Sequence, residues 1–297
     1  MPVSSLMRIT AAESWYPSAA LPRVGIEVLT NSDRAEALDF LGQRGINAAF
    51  FAGMVYDNGL ESSFNRGTFY GYRNSFGQLE GVALIGHAIL MEAVTEQALH
   101  AFAVVAQGAK SVHMIMCEEN SLEKFWCFYS EVGQQMRRAS RQLLLELRWP
   151  VATSRDVSKL RLATDADFDL LVPVHAELAF DESGIDPRTK DAAGFTERCA
   201  RRIQQGRTWV LTEGEQLIFK AEVASTTPQT TYLEGIWVRP EKRGKGYGQS
   251  CMEQLARMLM WRAKSVCLFV NDDSDGARRF YRQSGYHLRT VYDTIFL

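Results

Sequence analysis

Charge of one sign is what this 297-residue chain has least of. Lys and Arg number 33 and Asp and Glu 35, for a net charge of -2. No basic excess points to nucleic acid or to an anionic membrane surface. Long apolar runs are also missing. Stretches such as 81–91 and 98–105 are short and broken by His or Gln, well below the roughly 18–20 residues that span a bilayer. The five cysteines, Cys117, Cys127, Cys199, Cys251 and Cys267, are odd in number and show no CxxC spacing. We read them as reduced packing residues of a cytosolic protein. His175 and His287 stand alone and no metal-ligand spacing occurs, so no metal is expected. Residues 1–21 carry one base, Arg8, and no continuous apolar core, so no signal peptide is expected and the cytoplasm is the expected location. No tract is of low complexity.

What is present is an ordinary globular mixture, 46% hydrophobic and 23% charged. The length suggests two domains. A small, polar stretch at 151–158 follows Trp149-Pro150 and precedes the strand-like Leu160-Arg161-Leu162. It divides the chain into residues 1–155 and 156–297. In the second half, Thr164 caps a helix with an acidic first turn. Helical spacing continues over 193–205, strands are expected at 208–212, 217–224 and 230–238, and a long amphipathic helix at 245–263. A buried strand at 265–270, a helix at 275–284 and strands within 286–297 complete it. The first half is expected to hold a helix over 32–44, strands at 68–74 and 81–90, a helix over 95–107, a strand at 112–117, a helix over 121–132 and a strand at 142–147. Its later order, β β α β α β, repeats that of the second half and suggests an internal duplication.

The run with chemistry in it is Ile236-Trp237-Val238-Arg239-Pro240-Glu241-Lys242-Arg243-Gly244-Lys245-Gly246-Tyr247-Gly248-Gln249. A strand leads into a basic, glycine-rich turn that opens a long helix. Glycines let backbone N–H groups converge on one point, and the helix N-terminus adds a positive dipole end. The expected ligand is a phosphate or pyrophosphate. Neither G-x-G-x-x-G nor G-x-x-x-x-G-K-[ST] fits the glycine spacing. R-x-x-G-x-G does, as Arg243, Gly246 and Gly248.

With that pattern the sequence resembles the GNAT acyltransferase superfamily, whose acyl-CoA pyrophosphate loop has the same form. A second block is similar as well. Ala277, Tyr281, Gly285 and Tyr286 follow the superfamily's Asn-x-x-Ala-x-x-x-Tyr-x-x-x-Gly-Phe, with Ser274 at the Asn position and Asn271 at the preceding strand end. The resemblance covers about residues 159–297. It extends to bacterial two-part GNAT proteins with a degenerate first half, through Phe219–Val223, Gly235–Val238 and the closing Thr294-Ile295-Phe296-Leu297. It implies an α/β fold of the α+β type, two tandem GNAT-like domains each with a mixed, mostly antiparallel sheet flanked by helices. In the first half, the corresponding place holds Met91-Glu92-Ala93-Val94-Thr95-Glu96-Gln97, with no glycine and no base. One acyl-CoA site per chain follows, in residues 156–297.

The activity so implied is acyl-CoA-dependent N-acyl transfer, most simply of acetyl from acetyl-CoA, by direct attack of a small-molecule or protein amine. A non-catalytic acyl-CoA sensor is the alternative. Cofactor contacts are expected from Ile236, Trp237, Val238, Arg243, Gly244, Lys245, Gly246, Tyr247, Gly248, Asn271 and Ser274. Tyr281 takes the general-acid position and Glu234 is the candidate base. Lys220 and Glu222 share one strand face, so they are either substrate contacts or an ion pair. Asp181, Glu182 and Asp186 lie where the acceptor site is often built. Arg278, Arg279 and Arg282 read as a solvated helix face.

Overall fold

The computed structural model describes residues 25–150, Ala152 and 155–297. The expectation about residues 1–21 lies outside the described residues, as do Val151, Thr153 and Ser154 of the expected boundary. The first half contains β1 (Gly25–Val28), α1 (Arg34–Gln43), α2 (Ala49–Asn58), β2 (Gly67–Arg73), β3 (Leu79–Gly86), β4 (Ala88–Ala93), α3 (Glu96–Gln107), β5 (Met114–Glu118), α4 (Glu119–Tyr129) and β6 (Arg138–Leu147). The second contains β7 (Arg161–Leu162), α5 (Phe168–Ser183), α6 (Pro187–Gln204), β8 (Thr208–Glu213), β9 (Gln216–Thr226), β10 (Thr230–Val238), α7 (Tyr247–Leu259), β11 (Ser265–Asn271), α8 (Asp275–Gln283) and β12 (His287–Phe296).

The duplication is visible at both starts. Thr30 N–H donates to Asp33 at 2.9 Å and Thr164 N–H to Asp167 at 2.8 Å, so each half opens its first helix with the same Thr-x-x-Asp cap. Each half also has one parallel strand pair, β4 with β5 and β10 with β11; the other pairings are antiparallel.

The strand order is β1-β2-β3-β4-β5-β12-β6-β11-β10-β9-β8-β7. The halves therefore exchange their last strands. β6, from the first half, pairs with β11 (Gln142↔Asn271 to Leu147↔Val266), and β12, from the second, pairs with β5 (Phe296↔Met114 to Tyr292↔Glu118). The single strand β12 replaces the strands expected within 286–297, because β6 fills the neighbouring place. α2 crosses the junction too. Gly53 lies so close to β9 that an added Cβ would fall 2.1 Å from Ser225 Cβ, and Phe51, Ala52 and Val55 share a core with Tyr232 and Cys267.

Two expectations for the first half need correction. The apolar run at 81–90 is not one strand. It ends β3, turns at His87, whose N–H donates to Arg66 O at 2.8 Å, and begins β4. α2 is not anticipated by the sequence reading, since its buried side chains leave no clear polar face to read. Of the cysteines, all are free thiols, but Cys127 is exposed and is not a packing residue. Among the described residues, no helix is long and apolar enough to cross a membrane.

Candidate active site

β10 and β11 run parallel from Thr230↔Ser265 to Leu233↔Leu268, and there the ladder stops. β10 continues to Val238 with a bulge against β9 between Glu234 and Trp237. Gly235 forms the bulge with φ +57°, a conformation that other residues adopt only under strain. Lys220, fully buried on β9, donates from Nζ to Gly235 O at 3.2 Å. The β11-facing edge of residues 234–238 is thus left without a strand partner. Beside it lies a cavity of about 680 Å³, walled by α5, α6, β9, β10, β11, α8 and, from the first half, Arg138 and Gln142 of β6.

The basic loop lies at the end of β10. Pro240–Lys242 make one 3-10 turn, Gly244 and Gly246 have φ of +70° and +83°, and Gly246 caps α7 without a side-chain partner. The first N–H groups of α7 are therefore free of any side-chain cap, as an anion site requires. A Cβ on Gly244 would meet nothing within 4 Å, and one on Gly246 only Arg155 Nε at 3.6 Å. Arg243 and Lys245 are exposed; Arg243 Nε donates to Val238 O at 3.0 Å, which braces the turn. The residues present fit a pyrophosphate.

Tyr281 and Glu234 both line the cavity. Tyr281 is buried among Phe280 and Tyr286, and its hydroxyl makes no hydrogen bond among the described residues. Burial holds its pKa above the ordinary tyrosine value, so it stays protonated. Glu234 is paired through Oε1 with Arg202. Arg202 also binds Glu222 at 3.0 Å, and Lys220 Nζ lies 3.6 Å from the same carboxylate. Burial opposes the Glu222 charge, but Lys220, Arg202 and His175 outweigh it and hold its pKa at about 2. His175 Nε2 lies 3.3 Å from Glu222; burial, with Lys220, pushes that imidazole down to about 4, so it is neutral near pH 7. Lys220 and Glu222 are thus a buried ion pair in the cavity wall.

The fold brings Glu234, Ile236, Asn271, Ser274 and Tyr281 to one cavity, and places Arg243, Gly244, Lys245 and Gly246 in the turn between β10 and the start of α7. Several expected residues contribute less than assumed. The Trp237 indole packs with Leu171 and Val174 in the core, so only its backbone faces the parted strands. Val238 and Phe280 would stand 3.0 and 3.2 Å from a Cβ on Gly248, which makes Gly248 a packing glycine of α7. Tyr247 turns its hydroxyl to Glu213 at 2.6 Å. Asp181 and Glu182 line the cavity, whereas Asp186 caps α6 by accepting from Arg188 N–H at 2.9 Å. Arg278 is tied to Asp272.

Four residues escape sequence reasoning. Arg202 falls in a helix legible only for its apolar spacing. Arg155 falls in the connection between the halves, where its guanidinium lies 4.3 Å over the Tyr247 ring. Arg138 and Gln142 reach the cavity only through strand exchange, which no local pattern announces. Among the described residues, no group of three or more His, Cys, Asp or Glu could hold a metal.

Residues 204–288 match the family model described as Acetyltransferase (GNAT) domain. A GNAT-family acetyltransferase from Colwellia psychrerythraea aligns over 92% of this chain and 99% of its own, at 11% identity and TM-score 0.58. A Drosophila protein aligns over 93% and 99%, at 11% identity and TM-score 0.66. A tandem GNAT protein from the clavulanic acid biosynthesis pathway aligns over 91% and 97%, at 12% identity and TM-score 0.55. No curated protein matches. At such identities the likeness is one of fold: the chain has the GNAT acetyltransferase fold, in its tandem, two-part form.

Proposed function

We propose that the protein is an acyl-CoA-dependent N-acyltransferase, with acetyl-CoA as its substrate, working through the half formed by residues 156–297. One observation carries the reading. The parted β10 and β11 and the Tyr281 hydroxyl, unpartnered among the described residues, meet at one open cavity, and β10 runs on from it into the basic turn and the uncapped, glycine-rich start of α7.

The acyl-CoA supplies an activated thioester. Arg243, Lys245 and the N–H groups at the start of α7 hold its pyrophosphate. The free backbone edge at Ile236, Trp237 and Val238, with Asn271 and Ser274 opposite, lines the path of its arm. Asn271 is oriented by the first half, since Ser140 and Gln142 donate to its Oδ1 at 3.4 and 3.3 Å and leave Nδ2 without a partner among the described residues. The amine nitrogen forms a C–N bond to the acyl carbon as the C–S bond breaks. Glu234, or a water it orients, takes the amine proton through the carboxylate oxygen that Arg202 leaves open. Tyr281 gives its proton to the departing sulfur and regains one from solvent, so the products are an amide and free CoA thiol.

Calorimetric titration with acetyl-CoA, followed by thiol detection with a panel of amines, tests this. Micromolar binding and amine-dependent CoA release are expected. Binding without release from any amine would make the protein a sensor; no binding at all would remove the proposal.

A further inference from the structure

We infer that the acceptor amine also carries a carboxylate, and that Arg138 of the first half receives it. The inference rests on the acyltransferase reading and names the substrate class of the same cleft.

Strand exchange sets up this position. β6 pairs with β11 only from Gln142 onward, so residues 138–141 run past the end of β11, paired with β12 alone (Phe296↔Arg138). Alternate residues of a strand share a face, and on this face Arg138 and Gln142 line the cavity. Ser140 and Gln142 are engaged by Asn271, and Gln142 Oε1 also accepts from Thr294 at 3.1 Å.

The neighbouring arginines all have partners. Arg137 donates to Ser183 O at 2.9 Å at the end of α5, Arg141 binds Asp293 at 3.1 Å, and Arg148 binds Glu146 at 3.0 Å. Arg138 makes no hydrogen bond or ion pair among the described residues. The other cations of the cavity are engaged as well: Arg198 with Asp191 at 3.1 Å, Arg202 with Glu222 and Glu234, and Lys220 with Glu222. Glu182 is the charged neighbour that feels Arg138.

The cavity therefore offers two unlike groups, and the Glu182 carboxylate on the lining feels both. Glu234 stands beside the free edge of β10, where an amine must approach. Arg138 stands on β6 with a half-buried guanidinium whose planar fork matches a carboxylate and binds no protein oxygen among the described residues. A free amino acid offers an ammonium to the first and a carboxylate to the second. This gives the first half a direct part in choosing the substrate.

The test uses the full chain and begins with acetyl-CoA titration. Absence of binding would overturn the acyltransferase reading itself. With binding established, CoA release is compared for amino acids and their amides: glycine and glycinamide, serine and serinamide, phenylalanine and phenylalaninamide. The acids should be at least about 10-fold better in kcat/KM. Arg138→Met should raise KM for the acids roughly 10- to 100-fold, the size of a lost charge-assisted pair of hydrogen bonds. It should leave the amides and acetyl-CoA affinity within about two-fold. Arg138→Lys should fall between, and it carries the comparison if the Met variant does not fold. Equal use of acids and amides by the wild type, an unchanged preference in Arg138→Met, or no acetylated acid despite acetyl-CoA binding would each overturn the inference while leaving the cofactor site standing.

Discussion

The two halves build the same cleft, and one of them is filled. Counted from the first residue of each parallel ladder, Glu92 on β4 takes the place of Glu234 on β10. Each is held by an arginine, Arg44 at 3.0 Å from Glu92 and Arg202 beside Glu234. Yet the cavity beside Glu92 is about 20 Å³, against about 680 Å³ beside Glu234. Phe50, Phe51 and Phe269 occupy the first, and Tyr292 closes it, its hydroxyl 2.7 Å from Asn47 O and 3.1 Å from Glu92. Tyr292 sits on the exchanged strand β12. Its partner across the β6 ladder, Gln142, takes that place beside the open cleft. The helix starts differ in the same sense. Thr95 accepts from Ala98 N–H at 3.4 Å and so caps α3, whereas Gly246 leaves α7 uncapped. A duplicated fold thus leaves the cleft open in one copy and fills it with hydrophobic core in the other.

The largest expected effect lies at Tyr281. Tyr281→Phe removes a hydroxyl and keeps the ring packed between Phe280 and Tyr286. Loss of a general acid lowers rate by about 10²–10⁴-fold. Acetyl-CoA affinity should stay within a few-fold, because the proton matters only as charge develops on sulfur. Full turnover with chemistry rate-limiting would assign the proton to water and leave Tyr281 as packing.

Next come the loop glycines, which the structure separates. Gly246→Glu points a carboxylate into open space at the phosphate position and should weaken acetyl-CoA binding by about 100-fold or more. Its melting temperature should fall only by what a positive φ costs, about 1–2 kcal/mol. Gly248→Glu drives a side chain into Val238 and Phe280 and should destabilise the fold itself. If both variants bind with wild-type affinity in calorimetry, the loop does not hold pyrophosphate.

The comparison can also be attacked from the filled side. Tyr292→Ala removes a buried ring and its hydrogen bonds to Asn47 and Glu92. Large-to-small aromatic changes of this kind cost about 3–5 kcal/mol, readable as a lower urea midpoint. The opened space should still bind no acyl-CoA, since α3 keeps its Thr95 cap and no base stands at the corresponding turn. A second equivalent of acetyl-CoA bound by the variant would contradict the assignment of the first half as silent.

How much of this is legible in the sequence follows the same division. Arg243, Gly246 and Gly248 lie within one local stretch, where spacing reports the turn and the helix start, and Tyr281 is reached through the resemblance of the block at 277–286. Strand β10 is expected at 230–238 and observed there, because β-branched and aromatic residues, Thr230-Thr231-Tyr232 and Ile236-Trp237-Val238, dominate the run up to the basic turn. The first half has lost such punctuation. The turn at Gly86-His87 lies inside an apolar run, and α2 is apolar on nearly every side because it packs on both halves. Arg138 and Gln142 are illegible for a different reason. Their position depends on β6 pairing with β11, more than a hundred residues away in the chain, and pairing at that range leaves no local pattern.

The smallest effect expected is at Arg155, where the connection between the halves meets the basic glycine loop. Its guanidinium lies 4.3 Å over the Tyr247 ring and next to Gly246, so it adds a cation at the start of α7 from outside the glycine motif. The residue is exposed, and an exposed charge of this kind contributes about 0.5–1 kcal/mol. Arg155→Ala should therefore weaken acetyl-CoA binding by roughly two- to five-fold at low ionic strength, with no change in melting temperature. The difference from wild type should shrink as salt rises, because a screening length of about 10 Å at 0.1 M falls to about 3 Å at 1 M. A salt-independent loss would mean that the side chain orders the loop by covering Tyr247, and Arg155→Met, which keeps the stem without the charge, would then restore affinity. An affinity unchanged at low salt would take the connection out of the cofactor site and leave the acyl-CoA loop wholly to residues 239–248.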